Sequence, residues 1–138
     1  MKTWELHLGS VPKQHTEGGE QHDHAEDVAR PYVILRMFPK QGTLIACPLS
    51  TSAATTPPFR VALDPAEIER TNDDRPGYEH KHTVVMVDQI RTMAFKRFDV
   101  GGGTSRVGKL SPAQQAQVEA ALNALVDLTE FKPKKKPK

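Results

Sequence analysis

The sequence predicts a compact, mainly antiparallel β barrel (an α+β class) covered by one C-terminal helix. Three observations favour this class. Short apolar stretches are separated by polar loops, one long segment has helical spacing, and strands do not alternate with helices as they do in βαβ folds. At 138 residues the chain suits a single domain, which we place at residues 1–131. The predicted strands are residues 3–8, 31–38, 43–49, 59–63, 83–90 and 106–110.

Alternation and turn residues support the first strands. In residues 3–8 the apolar side chains share one face while Glu5 and His7 share the other, which is typical of a half-buried strand. Residues 31–38 and 43–49 are apolar runs joined by a four-residue turn. Two strands so closely connected predict an antiparallel hairpin.

The loops are predicted from polar and glycine-containing composition. Residues 9–29 form a long, His-rich and acidic stretch that we expect to be a flexible loop, and residues 50–58 and 71–82 form two further loops. Residues 132–138 contain only lysine and proline, so we expect a disordered tail.

Two capping signals predict helices. Ser111 followed by a proline and by Gln114 begins a helix of about residues 112–128. Asp64 begins a shorter helical turn, to about Arg70. The long helix should cover the sheet with apolar residues that recur at helical spacing, namely Val118, Leu122, Leu125 and Val126.

Charge and cysteine content restrict partners and compartment. The formal charge is +2, but without the five lysines of residues 132–138 the chain has 14 basic and 17 acidic residues. Affinity for nucleic acid must then come from a local basic patch or from the tail. The single cysteine, Cys47, lies in an apolar run and is expected to be a buried free thiol, which suits a cytoplasmic protein. No apolar run approaches the roughly 20 residues of a membrane span.

Five motifs carry a resemblance to a known family. The apolar segment that begins at Thr83 turns polar at Asp88, and a strand needs such residues only where it ends at a surface that uses them. The motifs are V-D-Q-I-R-T at 87–92, K-R-F at 96–98, Arg30-Pro31, P-L-S-T at 48–51 and V-G-K-L-S at 107–111. Together they resemble the MazF/PemK toxins, small ribonucleases of bacterial toxin–antitoxin pairs. The resemblance implies an SH3-like antiparallel barrel of the MazF/PemK/CcdB kind.

The resemblance also implies catalytic residues. Cleavage of RNA by its own 2'-hydroxyl needs a proton acceptor, a proton donor and stabilisation of the phosphorane, but no obligatory metal or cofactor. Arg30 matches the central catalytic arginine of the family, and a guanidinium suits phosphate oxygens. Ser50 matches the catalytic Thr or Ser, and Thr51 takes that role if the register shifts by one residue.

A predicted acidic residue precedes the arginine. Gly19-Glu20-Gln21 resembles the G-x-E-Q segment of the family, which implies a catalytic role for Glu20 and an RNA contact for Gln21. The gap from Glu20 to Arg30 is about twice that of the family, so Glu26 is an alternative acid.

The predicted RNA-binding residues follow the central motif. They are Gln89, Arg91, Lys96 and Arg97, with Tyr78 or Phe95 available for base stacking. The alternative interpretation is that Asp88 and Arg91 form a structural ion pair at the strand end.

The histidines of the first loop raise the question of a metal site. His15, His22 and His24 accompany Asp23, and these residue types bind several divalent ions. No cysteine pair or helix-borne histidine motif is present, and a flexible loop fixes no coordination geometry. We therefore predict no metal site. One of these histidines acting as a general base is an alternative role.

The predicted function is that of a toxin of a type II toxin–antitoxin system, a metal-independent and sequence-specific endoribonuclease of single-stranded RNA. The resemblance further implies a homodimer and a cognate antitoxin whose acidic segment occupies the RNA groove. The alternative is a non-catalytic barrel that binds protein or nucleic acid, since the first strand lacks the usual G-D-I/V opening. A third hypothesis, a metal-dependent hydrolase, predicts activity that chelators abolish.

Overall fold

The computed structural model describes residues 1–11, 29–51 and 59–127. Within these ranges the chain forms seven strands and one α-helix. Three short 3-10 turns, at Pro65–Glu67, Val87–Gln89 and Phe95–Phe98, connect some of them. The strands are β1 Glu5–Gly9, β2 Arg30–Phe38, β3 Thr43–Ser50, β4 Arg60–Ala62, β5 Val84–Met86, β6 Arg91–Ala94 and β7 Arg106–Lys109, and the helix is α1 Pro112–Leu125.

The strands form one antiparallel sheet in which β3 is central. The order is β4-β5-β3-β2-β1-β7, and β6 also pairs with β3. One edge of β3 pairs with β2, as the predicted hairpin requires. Its other edge pairs with β6 over Thr43–Ala46 and with β5 over Leu49 and Ser50. Two strands that follow one another in sequence, β5 and β6, thus lie end to end along the same edge of β3, and the mainly antiparallel architecture is confirmed.

The prediction of one strand over residues 83–90 is wrong. The strand β5 ends at Met86, the chain makes a 3-10 turn, and β6 begins at Arg91. Asp88 and Gln89 lie in this turn. The turn takes the chain from the part of β3 that pairs with β5 to the part that pairs with β6. The predicted Asp88–Arg91 ion pair is also wrong, because Asp88 receives hydrogen bonds from Arg60 at 2.8 and 3.1 Å.

Strand β1 is buried on both faces, whereas the sequence predicts a half-buried strand. Leu6 and Leu8 pack in the core, but Glu5 and His7 are only 9% and 5% exposed. The His7 ring lies between Glu5 Oε1, at 2.9 Å from Nε2, and Ser105 Oγ, at 2.7 Å from Nδ1. A polar face is tolerated here because each buried polar group has a partner.

Arg106 completes this buried polar network. Its Nε donates to Glu5 Oε2 at 2.9 Å, and its Nη1 contacts Asp74, which is itself buried. Burial alone would raise the pKa of Glu5, but hydrogen bonds from His7, from Arg106 and from the Lys2 backbone outweigh it and lower the pKa to about 2. Burial lowers the pKa of His7, and its bond to Glu5 opposes this in part. The network therefore joins β1, β7 and the 71–82 loop.

The apolar core lies in two clusters on opposite faces of the sheet. The first, beneath α1, includes Leu6, Val33, Leu49, Val85 and Val118. The second lies on the other face and consists of Val11, Tyr32, Ile34, Leu44, Ala46, Met93 and Phe98.

The capping box that begins α1 is confirmed, and of the predicted apolar face Val118, Leu122 and Leu125 pack against the core, whereas Val126 does not. Ser111 accepts from the Gln114 backbone and the Gln114 side chain accepts from the Ser111 backbone. Gln114, Val118 and Ala121 are the buried positions, and Gln114 also donates to Asp64 O at 3.0 Å. Val126 is 60% exposed because the helix ends before it.

Several predictions concern shorter segments. The helical turn from Asp64 is confirmed but ends at Glu67 rather than near Arg70. The 71–82 stretch contains neither a helix nor a strand, as predicted. Most of the expected loops 9–29 and 50–58, and the lysine-proline tail, lie outside the described residues.

The network around His7 predicts that acid destabilises the fold. Because the pKa of His7 is below its ordinary value of 6.5, the unfolded chain binds a proton more readily, so stability falls as the pH drops below about 6.5. A second loss should follow between about 4.5 and 2, where the unfolded chain protonates Glu5 first.

Urea unfolding across this pH range measures both steps. Burial also lowers the pKa of His80, so His7→Gln should reduce the first step without removing it. A variant whose pH profile matches that of the wild type would contradict the assignment.

Candidate active site

Arg30 and Ser50 meet at the open end of the β2–β3 hairpin. The register pairs Tyr32 with Pro48, and continuing it by two residues places Arg30 opposite Ser50. Arg30 Nη1 also donates to Leu49 O at 3.3 Å. Directly opposed residues of an antiparallel pair point to the same face. The side chains of Arg30 and Ser50, both predicted to be catalytic, therefore lie side by side.

The two hydroxyls at this position differ in exposure. Ser50 is 6% exposed, whereas Thr51 lies just beyond the end of β3 and is exposed. Arg30 is half-buried. The Thr51 hydroxyl is thus open to solvent, whereas Ser50 is largely covered.

Arg91 lies on the same face of the sheet. It pairs with Ala46 on β3, and Ala46 belongs to the apolar cluster that contains Tyr32, two residues from Arg30. Since side chains alternate along a strand, Arg30, Tyr32 and Arg91 all face this side of the sheet.

Arg91 and Arg97 line an open pocket of about 170 Å³, which we call the arginine pocket. Its remaining lining residues are Val11, Thr92, Met93 and Ala94. The pocket is held against β1 because the Ser10 N–H donates to Arg97 O at 3.0 Å. Gly9, the residue before, pairs with Arg30. The arginine pocket is thus next to the Arg30 position.

Phe98 fixes the position of residues 91–98, which we call the basic segment. Its ring is buried and meets the Tyr32 ring edge-on, with centroids 5.9 Å apart. A Cβ atom at Gly9 would lie 2.8 Å from Phe98 Cε1, so only glycine allows the ring to pack this closely. Lys96, by contrast, is exposed.

Gln89 lies apart from the arginine pocket. It ends the 3-10 turn between β5 and β6, a turn that contacts α1, β3 and β4. Its side chain is half-buried, and its Oε1 accepts no hydrogen bond within the described part of the chain. Among the predicted RNA-binding residues that the structure describes, Arg91 and Arg97 line one pocket, whereas Gln89 and Lys96 do not.

The sequence matches the model of the PemK-like, MazF-like toxins of type II toxin–antitoxin systems over residues 14–126. The chain belongs to this toxin family. No protein with a curated description matches the sequence.

Solved structures confirm the MazF-type fold. MazF from Deinococcus radiodurans has a TM-score of 0.61 at 18% identity, over 92% of this chain and 96% of that chain. An endoribonuclease from a mycobacterial species, in complex with its cognate antitoxin, has a TM-score of 0.59 at 18% identity, over 93% and 96%. A MazE–MazF structure from D. radiodurans gives 0.61 at 18% identity, over 92% and 96%. At this level of identity, the likeness establishes the antiparallel sheet with its C-terminal helix.

A second pocket in this MazF-like fold lies in the loop before β5. Its volume is about 360 Å³, and we call it the loop pocket. It is lined by Gly77, Tyr78, Glu79, Lys81 and His82. The sequence identifies Tyr78 as an available aromatic, but it gives no sign that its neighbours line an open pocket with it. Phe95, the other candidate for stacking, packs against the apolar cluster under Phe98.

Several predicted site residues lie outside the described residues. These are Glu20, Gln21, the alternative acid Glu26, and the loop residues His15, His22, Asp23 and His24. Within residues 1–11, 29–51 and 59–127, no three His, Cys, Asp or Glu side chains are grouped as metal ligands.

Cys47 is a buried free thiol, as the sequence predicts. Burial raises its pKa to about 12, so the thiol stays protonated and is not a nucleophile. None of the described helices is long and apolar enough to cross a membrane.

Proposed function

We propose that this MazF-like toxin is an endoribonuclease that cuts single-stranded RNA at a short sequence, without a metal, by attack of the 2'-hydroxyl. The products would be a 2',3'-cyclic phosphate and a 5'-hydroxyl. The observation that carries the proposal is the pairing of Arg30 with Ser50 on one face of the sheet, beside the arginine pocket. Two of the similar solved structures are endoribonucleases from mycobacterial species, which supports it.

Arg30 is assigned the central role. Its guanidinium offers a planar set of donors for the charge that develops on the pentacoordinate phosphate, and it can supply a proton to the leaving oxygen. Ser50 or Thr51 donates to a phosphate oxygen or orients the 2'-hydroxyl. The exposure of Thr51 favours it for the first contact with the substrate.

The remaining roles are assigned to residues of the basic segment and of the first loop. Arg91, Lys96 and Arg97 bind the RNA backbone. Gln89, which lies outside the arginine pocket, contacts a more distant nucleotide. Glu20, or Glu26 in its place, is the acidic residue of the catalytic site, and Gln21 contacts RNA. We place all these residues in one domain, residues 1–131.

The proposed partners are RNA, a second copy of the chain and a cognate antitoxin. Two of the similar solved structures are complexes with an antitoxin, which supports the last of these. An acidic antitoxin segment would complement the arginine pocket and thus compete with RNA. We place the toxin in the cytoplasm, where its RNA substrate and a reduced Cys47 are both expected.

A second candidate function is a barrel that binds RNA or protein without cleaving it. The observation that favours it is the low exposure of Ser50, which limits access to the hydroxyl facing Arg30. Induced expression distinguishes the two. A nuclease toxin arrests growth and degrades messages, whereas a binding module does neither.

Arg30→Ala should reduce cleavage of a labelled RNA by about 100-fold or more, because it removes the main donor for the phosphorane charge. The assay contains EDTA, in which the wild-type protein should remain fully active. Arg36→Ala, an exposed arginine on the same strand, is the matched control and should cut normally. Full activity of Arg30→Ala, or loss of wild-type activity in EDTA, would contradict the proposal.

Arg91→Ala and Arg97→Ala should each weaken RNA binding and lower the slope of log K against log salt by roughly one, since each removes one phosphate contact. Lys109→Ala, on the far edge strand β7, should leave the slope unchanged. The measurement is fluorescence anisotropy of a labelled oligonucleotide at several salt concentrations. Equal slopes in all four proteins would show that the arginine pocket does not bind the backbone.

A further inference from the structure

The loop pocket is an open surface depression large enough to receive one base. Its volume of about 360 Å³ lies within the roughly 300–1,000 Å³ of typical ligand sites. It combines one aromatic ring with acidic, basic and imidazole side chains, all from residues 77–82. Such a set offers stacking together with both hydrogen-bond donors and acceptors.

Tyr78 is held rigidly at this pocket. Its ring packs against the main apolar cluster and meets the His80 ring edge-on, with centroids 5.1 Å apart. Arg70 Nη1 donates to Tyr78 O at 3.2 Å and fixes the backbone. A ring held in this way loses little conformational entropy when a planar ligand stacks on it.

The charged residues of the pocket select among ligands. Glu79 and Lys81 are both exposed at its wall. The Glu79 carboxylate repels a phosphate but accepts a hydrogen bond from an exocyclic amino group. Lys81 donates to a ring nitrogen or carbonyl oxygen. This combination fits a nucleobase with an amino group better than it fits a phosphate or uracil.

The loop pocket adjoins the proposed scissile position. The Thr83 N–H donates to Ser50 O at 3.1 Å, and Ser50 pairs with Val84. His82, in the pocket wall, lies two residues before Val84. The Tyr78 ring packs against the first apolar cluster, on the other face of the sheet from Arg30, so an RNA strand with its phosphate at Arg30 reaches the pocket by passing around the end of β3 at Ser50.

We propose that the loop pocket is a specificity subsite that stacks one base flanking the scissile phosphate on Tyr78 and selects an amino-bearing base, such as cytosine, through Glu79. The subsite rests on the proposed binding of single-stranded RNA and assigns part of its sequence preference to residues 77–82. The positioning role belongs to His80, which supports the Tyr78 ring.

The test measures binding and cleavage separately. Binding uses an oligonucleotide in which each position in turn is made abasic, with 2'-deoxy sugars to prevent cleavage. The wild-type protein should bind the oligonucleotide roughly tenfold more weakly when one particular position is abasic, as expected for the loss of one base–aromatic stack. Tyr78→Leu should abolish this difference, whereas Tyr78→Phe, which keeps the ring and its packing, should retain it. Lys40→Ala, at the hairpin turn at the opposite end of β3, is a surface control and should keep the wild-type profile.

Selectivity is tested by exchanging cytosine for uracil at the sensitive position. Wild type should prefer cytosine, and Glu79→Gln should reduce that preference, because an amide presents a donor as well as an acceptor. The same exchange in a cleavable RNA should alter kcat/KM in parallel.

The outcomes separate this inference from the proposed activity. RNA that is bound with the predicted base preference but never cut would refute the nuclease and leave the subsite standing. Identical abasic profiles in wild type and Tyr78→Leu would overturn the subsite even if RNA is cut. A change of oligomeric state in Tyr78→Leu with unchanged RNA binding would assign the pocket to a protein contact instead and also overturn the subsite.

Discussion

The pairing of β3 along both of its edges is the constraint on which the rest of the molecule depends. This strand pairs with β2 on one side and with β6 and then β5 on the other. A shift of one residue would turn every side chain of a strand to the opposite face. The double pairing therefore fixes Ser50 opposite Arg30 and keeps Arg91 on the same face. The candidate site is thus positioned by backbone hydrogen bonds.

A second constraint is the buried polar network of Glu5, His7 and Arg106. It joins β1 to β7, and through Asp74 it extends to the loop that carries Tyr78. Buried charges of this kind contribute little net stability compared with apolar residues, but removing one partner leaves the others unpaired at a cost of about 3–5 kcal/mol. We interpret the network as a clamp that keeps the 71–82 loop in one place. Phe98, packed on Tyr32, has the equivalent role for the basic segment.

Local patterns predicted those features that depend on local forces. The hairpin follows from two apolar runs and a turn, the start of α1 from its capping box, and the neighbourhood of Arg30 and Ser50 from that hairpin together with the family motifs. The errors occurred where partners distant in sequence decide the structure. Arg106 pairs with Glu5 and so allows a polar face of β1 to be buried. Asp88 pairs with Arg60 and not with Arg91. Residues 83–94 form two strands because β3 has two pairing sites on one edge. Neither spacing nor composition contains that information.

We propose that Arg30 and Ser50 act on one phosphodiester, and a double-mutant cycle measures whether they do. Single-turnover cleavage rates would be measured for wild type, Arg30→Lys, Ser50→Ala and the double variant, with unfolding midpoints as a check on the fold. Groups that serve one transition state should be coupled, so the two effects should depart from additivity by roughly 0.5–3 kcal/mol. Effects that simply add, or a Ser50→Ala variant with unchanged rate, would contradict the shared site.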